Sequence, residues 1–430
     1  MTLLERVHKE TISTDRCPRP LANYSQAARA GQFLFLAGQI ASDYQTGIPA
    51  EARRDSEFPY YGSDIRRQTR YVMDNIGAVL EAGGSSFEQI VKAQVFLKDA
   101  ADFDGFDEVY RSYFKVPPPR TTLQVGERAL LVPGALVEVD FLALTSQSGV
   151  EREVLDVPGL PSPIAHYSPV VRAGQFVFPA GQVATDFKTG VAAEARVHPA
   201  FPYYGSEIEQ QARYILGNLQ KTLQAAGSSL ADVIKAQVFL RSLHDFDAFD
   251  QVWKEFFPTP PPRTTIQIGQ LLIPDCLVEI DLIGVVPGQL SRQVINTDAC
   301  PRPLANYSQA TRVGPYVFLA GQLASDFRTG IPPEARVDPN FRWYGSDIAR
   351  QTEYILRNCQ TVLEAAGSSL ANVVKAQVFL TDLRNFYQFD KVWKRFFGEH
   401  VPPRTTVETA GDGLLVPGSL VEIDLIAVAD

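Results

Sequence analysis

Pro118-Pro119-Arg120-Thr121-Thr122, followed by the strand-like Leu136-Val137-Glu138, decides how the rest of the chain is read. The pattern recurs as Pro261-Pro262-Arg263-Thr264-Thr265 with Leu277-Val278-Glu279. It recurs again as Pro402-Pro403-Arg404-Thr405-Thr406 with Leu420-Val421-Glu422. Proline rings hold φ at about −65° and push the preceding residue extended, so each arginine leaves a stiff entry into a strand. A guanidinium held in this way suits bidentate capture of a carboxylate or phosphate. The competing reading is a structural salt bridge to the glutamate downstream in the same motif.

The three arginines lie 143 and 141 residues apart (263 − 120 and 404 − 263). That is the size of a domain, not of a solenoid repeat. The polar joins Thr145-Ser146-Gln147-Ser148-Gly149 and Pro287-Gly288-Gln289-Leu290-Ser291 place the domains at 1–148, 149–290 and 291–430. In the first unit, Tyr24–Ala28 and Phe33–Ala37 read as a hairpin turning at Ala30-Gly31. A loop follows as far as Tyr60-Tyr61-Gly62, and Ser63 is a candidate N-cap. The helix after it carries Ile65, Val72, Ile76, Val79 and Leu80 on one face and stops at Gly83-Gly84. Ile90–Leu97 reads as a strand, 102–114 as a second helix, and Thr121–Val125 and Leu136–Leu144 as closing strands. The order ββαβαββ predicts an α+β layer with both helices on one sheet face. The other face needs a cover, and two further copies in the same chain supply one. The expectation is therefore an intramolecular pseudo-trimer: a monomer with internal pseudo-threefold symmetry, with room for higher association.

Composition narrows the function classes. The formal charge of −9 and the lack of a Lys/Arg run argue against a nucleic-acid surface. No apolar run approaches the ~20 residues of a membrane span. Met1-Thr2-Leu3-Leu4-Glu5-Arg6 lacks the apolar core of a signal peptide, so a cytoplasmic location is expected. The four cysteines match no metal or redox spacing, and no histidine recurs at a repeated position. A site present in every unit therefore rests on neither residue type.

Several polar and aromatic positions do recur. Tyr24, Tyr167 and Tyr307 begin the hairpins, and Gly38-Gln39, Gly181-Gln182 and Gly321-Gln322 end them. The glycine either permits a tight bend or serves a site. Arg53, Arg196 and Arg336 recur in the following loop, either solvated or functional. The aromatic pairs Tyr60-Tyr61, Tyr203-Tyr204 and Trp343-Tyr344 either roof the core or line a site. Glu138 and Asp140 alternate with Val137, Val139 and Phe141, so the two carboxylates share a face. That face is either in solvent or buried between units. If buried, the glutamate needs a partner, and the arginine of its own motif is the nearest candidate.

On these residues each unit resembles the Rid family, the reactive intermediate/imine deaminases also called YjgF-type proteins. The resemblance rests on Pro-x-Arg followed by the Val-Glu strand, on Gly-Gln after the hairpin, and on Val91-Lys92-Ala93-Gln94-Val95-Phe96-Leu97. It implies a chorismate-mutase-like fold, trimeric assembly, and clefts between neighbours where an imine is hydrolysed to ketone and ammonia. By resemblance Arg120, Arg263 and Arg404 anchor a substrate carboxylate, and Glu138, Glu279 and Glu422 place the attacking water. Tyr24, Tyr167 and Tyr307 line the pocket. Thr122, Thr265 and Thr406 stand at the position where common members carry cysteine. Asp107, Asp250 and Asp390 replace the family asparagine, and an added carboxylate repels a carboxylate substrate unless it is protonated or paired. The longer loop carrying Arg53, Arg196 and Arg336 suits a larger substrate, such as 2-aminomuconate or a related amino-dicarboxylate.

The implied reaction needs an anchor, a placed water and a proton carrier, with no metal and no cofactor. A non-catalytic carboxylate-binding or scaffold protein is the alternative, and an endoribonuclease is a third reading. Unit two is shorter between Arg263 and Pro274 and has His166 where the others have Asn23 and Asn306. The cleft using the Arg263 loop is therefore expected to be the odd one of three.

Overall fold

The computed structural model describes residues 7–126, 128, 130–288, 290–411 and 413–429. The N-terminal hexapeptide read above, and Gln289 in the second join, lie outside them. Unit one contains β1 (Glu10–Ile12), β2 (Ala27–Ala30), β3 (Phe33–Leu36), β4 (Gln39–Ile40), α1 (Asp64–Ala82), β5 (Ile90–Leu97), α2 (Phe103–Tyr110), β6 (Arg120–Gln124) and β7 (Val137–Leu144). The sheet runs β1-β2-β3-β7-β5-β6, with β4 also on β7. Only β5 and β6 are parallel, with Ala93 opposite Arg120 and Val95 opposite Thr122. Units two and three repeat this order. The short leading strand of each unit (Glu10–Ile12, Arg152–Leu155, Arg292–Ile295) was not expected; its three or four residues are too few to show a period. Among the described residues no helix is long and apolar enough to cross a membrane.

The helices cover one face as the apolar spacing requires. Ile65, Val72, Ile76 and Val79 of α1 are buried with Val95, Val137, Val139 and Phe141 of the sheet. Ser63 sits at the N-cap in extended conformation, but its hydroxyl makes no cap hydrogen bond, whereas Ser206 in unit two accepts from Glu209 N–H. The helix stops at Gly83.

The opposite faces of the three sheets pack on one another. At one end Phe33, Phe176 and Tyr316 meet edge to face, with ring centroids 5.1–5.5 Å apart. Burying each such ring contributes about 1.5–3 kcal/mol. Next to them the interface is polar. Gln94 donates to Gln237, Gln237 to Gln377 and Gln377 to Gln94, each at 2.5 Å, closing a ring of three amides. Around it Lys92 pairs with Asp281 at 2.5 Å, Lys235 with Asp424 at 2.7 Å and Lys375 with Asp140 at 2.6 Å. Thr121, Thr264 and Thr405 donate to the same aspartates, each at 2.6 Å. Every one of these contacts joins two units. Removing one partner of such a pair leaves a buried charge uncompensated, at ~3–5 kcal/mol.

Backbone contacts set the direction of the ring. Gln270–Leu271 of unit two adds to the free edge of β6 of unit one. Leu414 of unit three bridges to Ile266 of unit two, and Leu130 of unit one to Val407 of unit three. The prolines before each arginine, having no N–H, serve as acceptors: Pro118, Pro261 and Pro402 take hydrogen bonds from Ser168, Ser308 and Ser25. Each Pro-Pro-Arg stretch is thus docked on the hairpin of the next unit.

Candidate active site

Three equivalent clefts follow from that docking, each built from two units. The first joins Arg120 and Thr122 of unit one to Tyr167, Gly181 and Glu279 of unit two, around a cavity of about 150 Å³. The second joins Arg263 to Tyr307, whose ring centroid lies 5.7 Å from the guanidinium carbon, and to Glu422. The third joins Arg404 to Tyr24, at 5.5 Å, and to Glu138. The partnership read from the motif is therefore corrected. Each glutamate faces the arginine of a neighbouring unit, because Glu138 on β7 and Arg120 on β6 point to opposite sides of their own sheet.

Each arginine is buried and wrapped in aromatic rings from its own second helix. The Arg120 guanidinium carbon lies 4.7 Å from the Tyr110 ring centre, that of Arg263 5.1 Å from Trp253, and that of Arg404 5.0 Å from Trp393. The aspartates of that helix are paired, not repelling: Asp107 with Arg120 at 2.8 Å, Asp250 with Arg263 at 2.6 Å and Asp390 with Arg404 at 2.8 Å. Their second oxygens reach the next unit. Asp107 contacts His166 Nδ1 at 2.6 Å, Asp250 accepts from Asn306 N–H at 3.2 Å, and Asp390 accepts from the Asn23 side chain at 2.5 Å. Burial raises the Asp107 pKa, but Arg120 and His166 outweigh it and hold the carboxyl below its ordinary value. Nε and Nη1 of Arg263 and Arg404 are buried without a hydrogen-bond partner, as is Nε of Arg120, whose Nη1 faces Asp107. Such groups cost ~1–3 kcal/mol each when left unmet.

Across the cleft the glutamates are held neutral. Burial, and after it the neighbouring Asp140, Asp281 and Asp424, push Glu138, Glu279 and Glu422 up to about 8. The backbone N–H groups of Thr406, Thr122 and Thr265 donate to them and oppose the shift. The repeated glycine now has a reason. A Cβ on Gly38, Gly181 or Gly321 would collide with Oε1 of the glutamate of its own unit. None of the three has positive φ, so the tight-bend explanation falls away. Burial pushes the Tyr24 phenol to about 12, and the Tyr167 and Tyr307 phenols above their ordinary value.

The structure does not bring every candidate together. Arg53, Arg196 and Arg336 are exposed. Arg196 donates to the Val191 carbonyl at 3.3 Å and pairs with Asp275 at 3.5 Å, and it does not line the first cleft. The aromatic pairs neither roof a core nor enter a cleft; Tyr60, Tyr203 and Trp343 are more than 80% exposed. The loop difference also falls at another cleft than the one expected. The shortened loop of unit two delivers Leu272 and Ile273 to the cleft of Arg120, and His166 joins them there. One repeated position was missed: Tyr44, Phe187 and Phe327, each with φ of 54–56°. The repeated Asp-aromatic-x-Thr-Gly of Asp43–Gly47, Asp186–Gly190 and Asp326–Gly330 marks it in the sequence.

The Endoribonuclease L-PSP family model matches the chain three times, over residues 14–145, 159–286 and 297–429. The chain belongs to this family. In the other name of the resemblance above, it is a Rid protein of three tandem domains. A RutC family protein of Pyrococcus horikoshii is 40% identical over 136 residues, covering 31% of this chain and 97% of that protein. Reactive Intermediate Deaminase A of Arabidopsis thaliana is 34% identical over 138 residues, covering 32% of this chain and 66% of that protein. The crystal structure of RidA from an Antarctic Psychrobacter species is 33% identical, with a TM-score of 0.26, covering 32% of this chain and 98% of that one. The Rid family thus includes reactive intermediate deaminases, which act on C–N bonds.

Proposed function

We propose that each cleft hydrolyses a small carboxylate-bearing imine, formed from its enamine, to the 2-oxo acid and ammonia. The observation that carries this reading is the first cleft itself. A buried arginine with an unmet Nε–H donor and a buried glutamate that is neutral at pH 7 line one cavity of about 150 Å³. The substrate carboxylate binds the arginine, which orients the C=N bond toward the glutamate. The protonated carboxyl gives its proton to the imine nitrogen, and the resulting carboxylate takes one from the water that attacks carbon. The carbinolamine then receives that proton on nitrogen. Ammonia leaves as the C–N bond breaks, and the hydroxyl proton returns to the glutamate. Atoms and charge balance, and the enzyme ends as it began.

Arg120 is the sole cationic side chain lining the first cleft among the described residues, while Phe103, Ile164, Val183, Phe187, Leu272 and Ile273 make an apolar wall. This favours a monocarboxylate over an amino-dicarboxylate such as 2-aminomuconate. A carboxylate-binding protein without turnover would need the anchor but not a glutamate held near 8. The test is ammonia release from freshly generated imine by wild type and by Arg120→Ala, Arg263→Ala and Arg404→Ala. Each variant should lose one cleft by roughly 30- to 1000-fold, the worth of a buried charge-assisted contact. Unchanged turnover in all three variants would refute the assignment.

A further inference from the structure

Tyr44, Phe187 and Phe327 occupy one repeated position, and each is an aromatic residue held at positive φ. Non-glycine residues in this region are strained by ~1–3 kcal/mol, and such strain gathers at functional sites. The turn is built the same way three times. Tyr44 N–H donates to Ser42 Oγ at 3.0 Å, Phe187 N–H to Thr185 Oγ1 at 2.9 Å, and Phe327 N–H to Ser325 Oγ at 2.9 Å. In the first cleft Phe187, held this way, shares a wall with Tyr167.

The three rings are not the same. In the third cleft the Tyr44 hydroxyl lies 2.8 Å from that of Tyr24, whose ring packs on Arg404. Two linked hydroxyls contain two protons and use one between them, so one donor and several acceptor positions remain for a ligand. In the first and second clefts a phenylalanine replaces Tyr44, and the tyrosine there has no hydroxyl partner at this position. A buried polar surface favours a substrate that can hydrogen-bond to it, and a phenyl wall favours one that need not.

We propose that the clefts divide the substrate range. On this account the cleft of Arg404, Glu138 and Tyr24 takes an imine with a hydrogen-bonding side chain, through Tyr44. The clefts of Arg120 and Arg263 take imines with apolar side chains, against Phe187 and Phe327. Fusing three units into one chain permits this, since a homotrimer must present one kind of cleft. The proposal rests on the deaminase reading for its chemistry and on Tyr44 for its selectivity, and one experiment separates the two.

Pairs of glutamate variants isolate one cleft at a time, because glutamine copies the shape of a neutral carboxyl. Glu279→Gln with Glu422→Gln leaves the Tyr44 cleft; Glu138→Gln with Glu279→Gln leaves the Phe327 cleft. Each protein is given the imines of leucine and asparagine, similar in shape and opposite in polarity, made in situ by an amino acid oxidase with catalase present. The asparagine-to-leucine rate ratio should be roughly 3- to 10-fold higher in the Tyr44 cleft, the worth of one neutral hydrogen bond. Tyr44→Phe should abolish the difference, and Phe327→Tyr should transfer it to the second cleft. Equal ratios in the isolated clefts, unmoved by Tyr44→Phe, would overturn the division and leave the deaminase reading intact. If no cleft accelerates either imine, that reading fails, and titration of the full chain with 2-oxosuccinamate and 4-methyl-2-oxopentanoate decides the division instead. Weaker binding of the amide by Tyr44→Phe than by wild type would support it, and equal binding would end it.

Discussion

Stability should fall with rising pH more steeply in the wild-type chain than in Glu279→Gln. Burial and Asp281 push the Glu279 carboxyl up to about 8 in the fold, against an ordinary value of about 4.3 in the unfolded chain. A group whose folded pKa is raised stabilises fully below the unfolded value and loses that contribution as pH climbs through the folded one. Between those limits the unfolded chain has released a proton that the folded chain keeps. The loss is about 1.4 kcal/mol per pH unit for one carboxyl, or roughly 3 kcal/mol between pH 5.5 and 8. The glutamine side chain of the variant has nothing to release, so subtracting the variant's stability cancels every other titrating group, including the buried Lys235 and Lys375, whose pKa values burial lowers. Urea unfolding at pH 5.5, 6.5, 7.5 and 8.5 gives the difference directly. If the two proteins stay parallel within about 0.5 kcal/mol, Glu279 is ionised in the fold at neutral pH and cannot begin the reaction as an acid.

Other consequences are simpler to read. Turnover per imine should fall as pH rises through about 8, since the acid form of the glutamates is consumed there; a flat profile to pH 9 contradicts the assigned role. Gly181→Ala should displace Glu279 and silence the first cleft alone, so that Arg120→Ala in that background changes turnover no further. Lys92→Met should strand Asp281 and lower stability by ~3–5 kcal/mol in urea unfolding, with the clefts of Arg263 and Arg404 still active. Asp107→Asn should free Arg120 for an anion, tightening 2-oxo acid binding at the first cleft while lowering the melting temperature; weaker binding would show that the aspartate orients the arginine.

Much of the fold was legible because local chemistry and tertiary packing agree. The Ile90–Leu97 strand, the hairpin and the apolar stripe of the first helix follow from period and turn residues alone. The carboxylate face of β7 was also legible as a face, but not its destination. Glu138 goes to a cleft and Asp140 to the central polar ring, a difference set by how three sheets stack. The glutamate–arginine pairing was misread for the same reason, since sequence proximity says nothing about which unit supplies the partner. Lys92 and Gln94 entered only as part of the Ile90–Leu97 strand; only ring closure turns them into a network. Tyr44 escaped because positive φ outside glycine leaves no mark in composition, although the repeated Asp-aromatic-x-Thr-Gly stood in all three units. The loop arginines and exposed aromatic pairs show the converse: recurrence in every unit does not by itself place a side chain in a site.

The central claim is that three arginines, each facing a neighbouring unit's glutamate, hydrolyse a carboxylate-bearing imine. Ammonia release from freshly generated leucine imine, compared between wild type and the triple variant Arg120→Ala, Arg263→Ala, Arg404→Ala, tests it most directly, with Glu138→Gln, Glu279→Gln, Glu422→Gln as the shape-preserving control. The account predicts acceleration by the wild-type chain and only the uncatalysed rate from both triple variants, with circular dichroism of the glutamine variant unchanged. Wild-type turnover from either triple variant would contradict it.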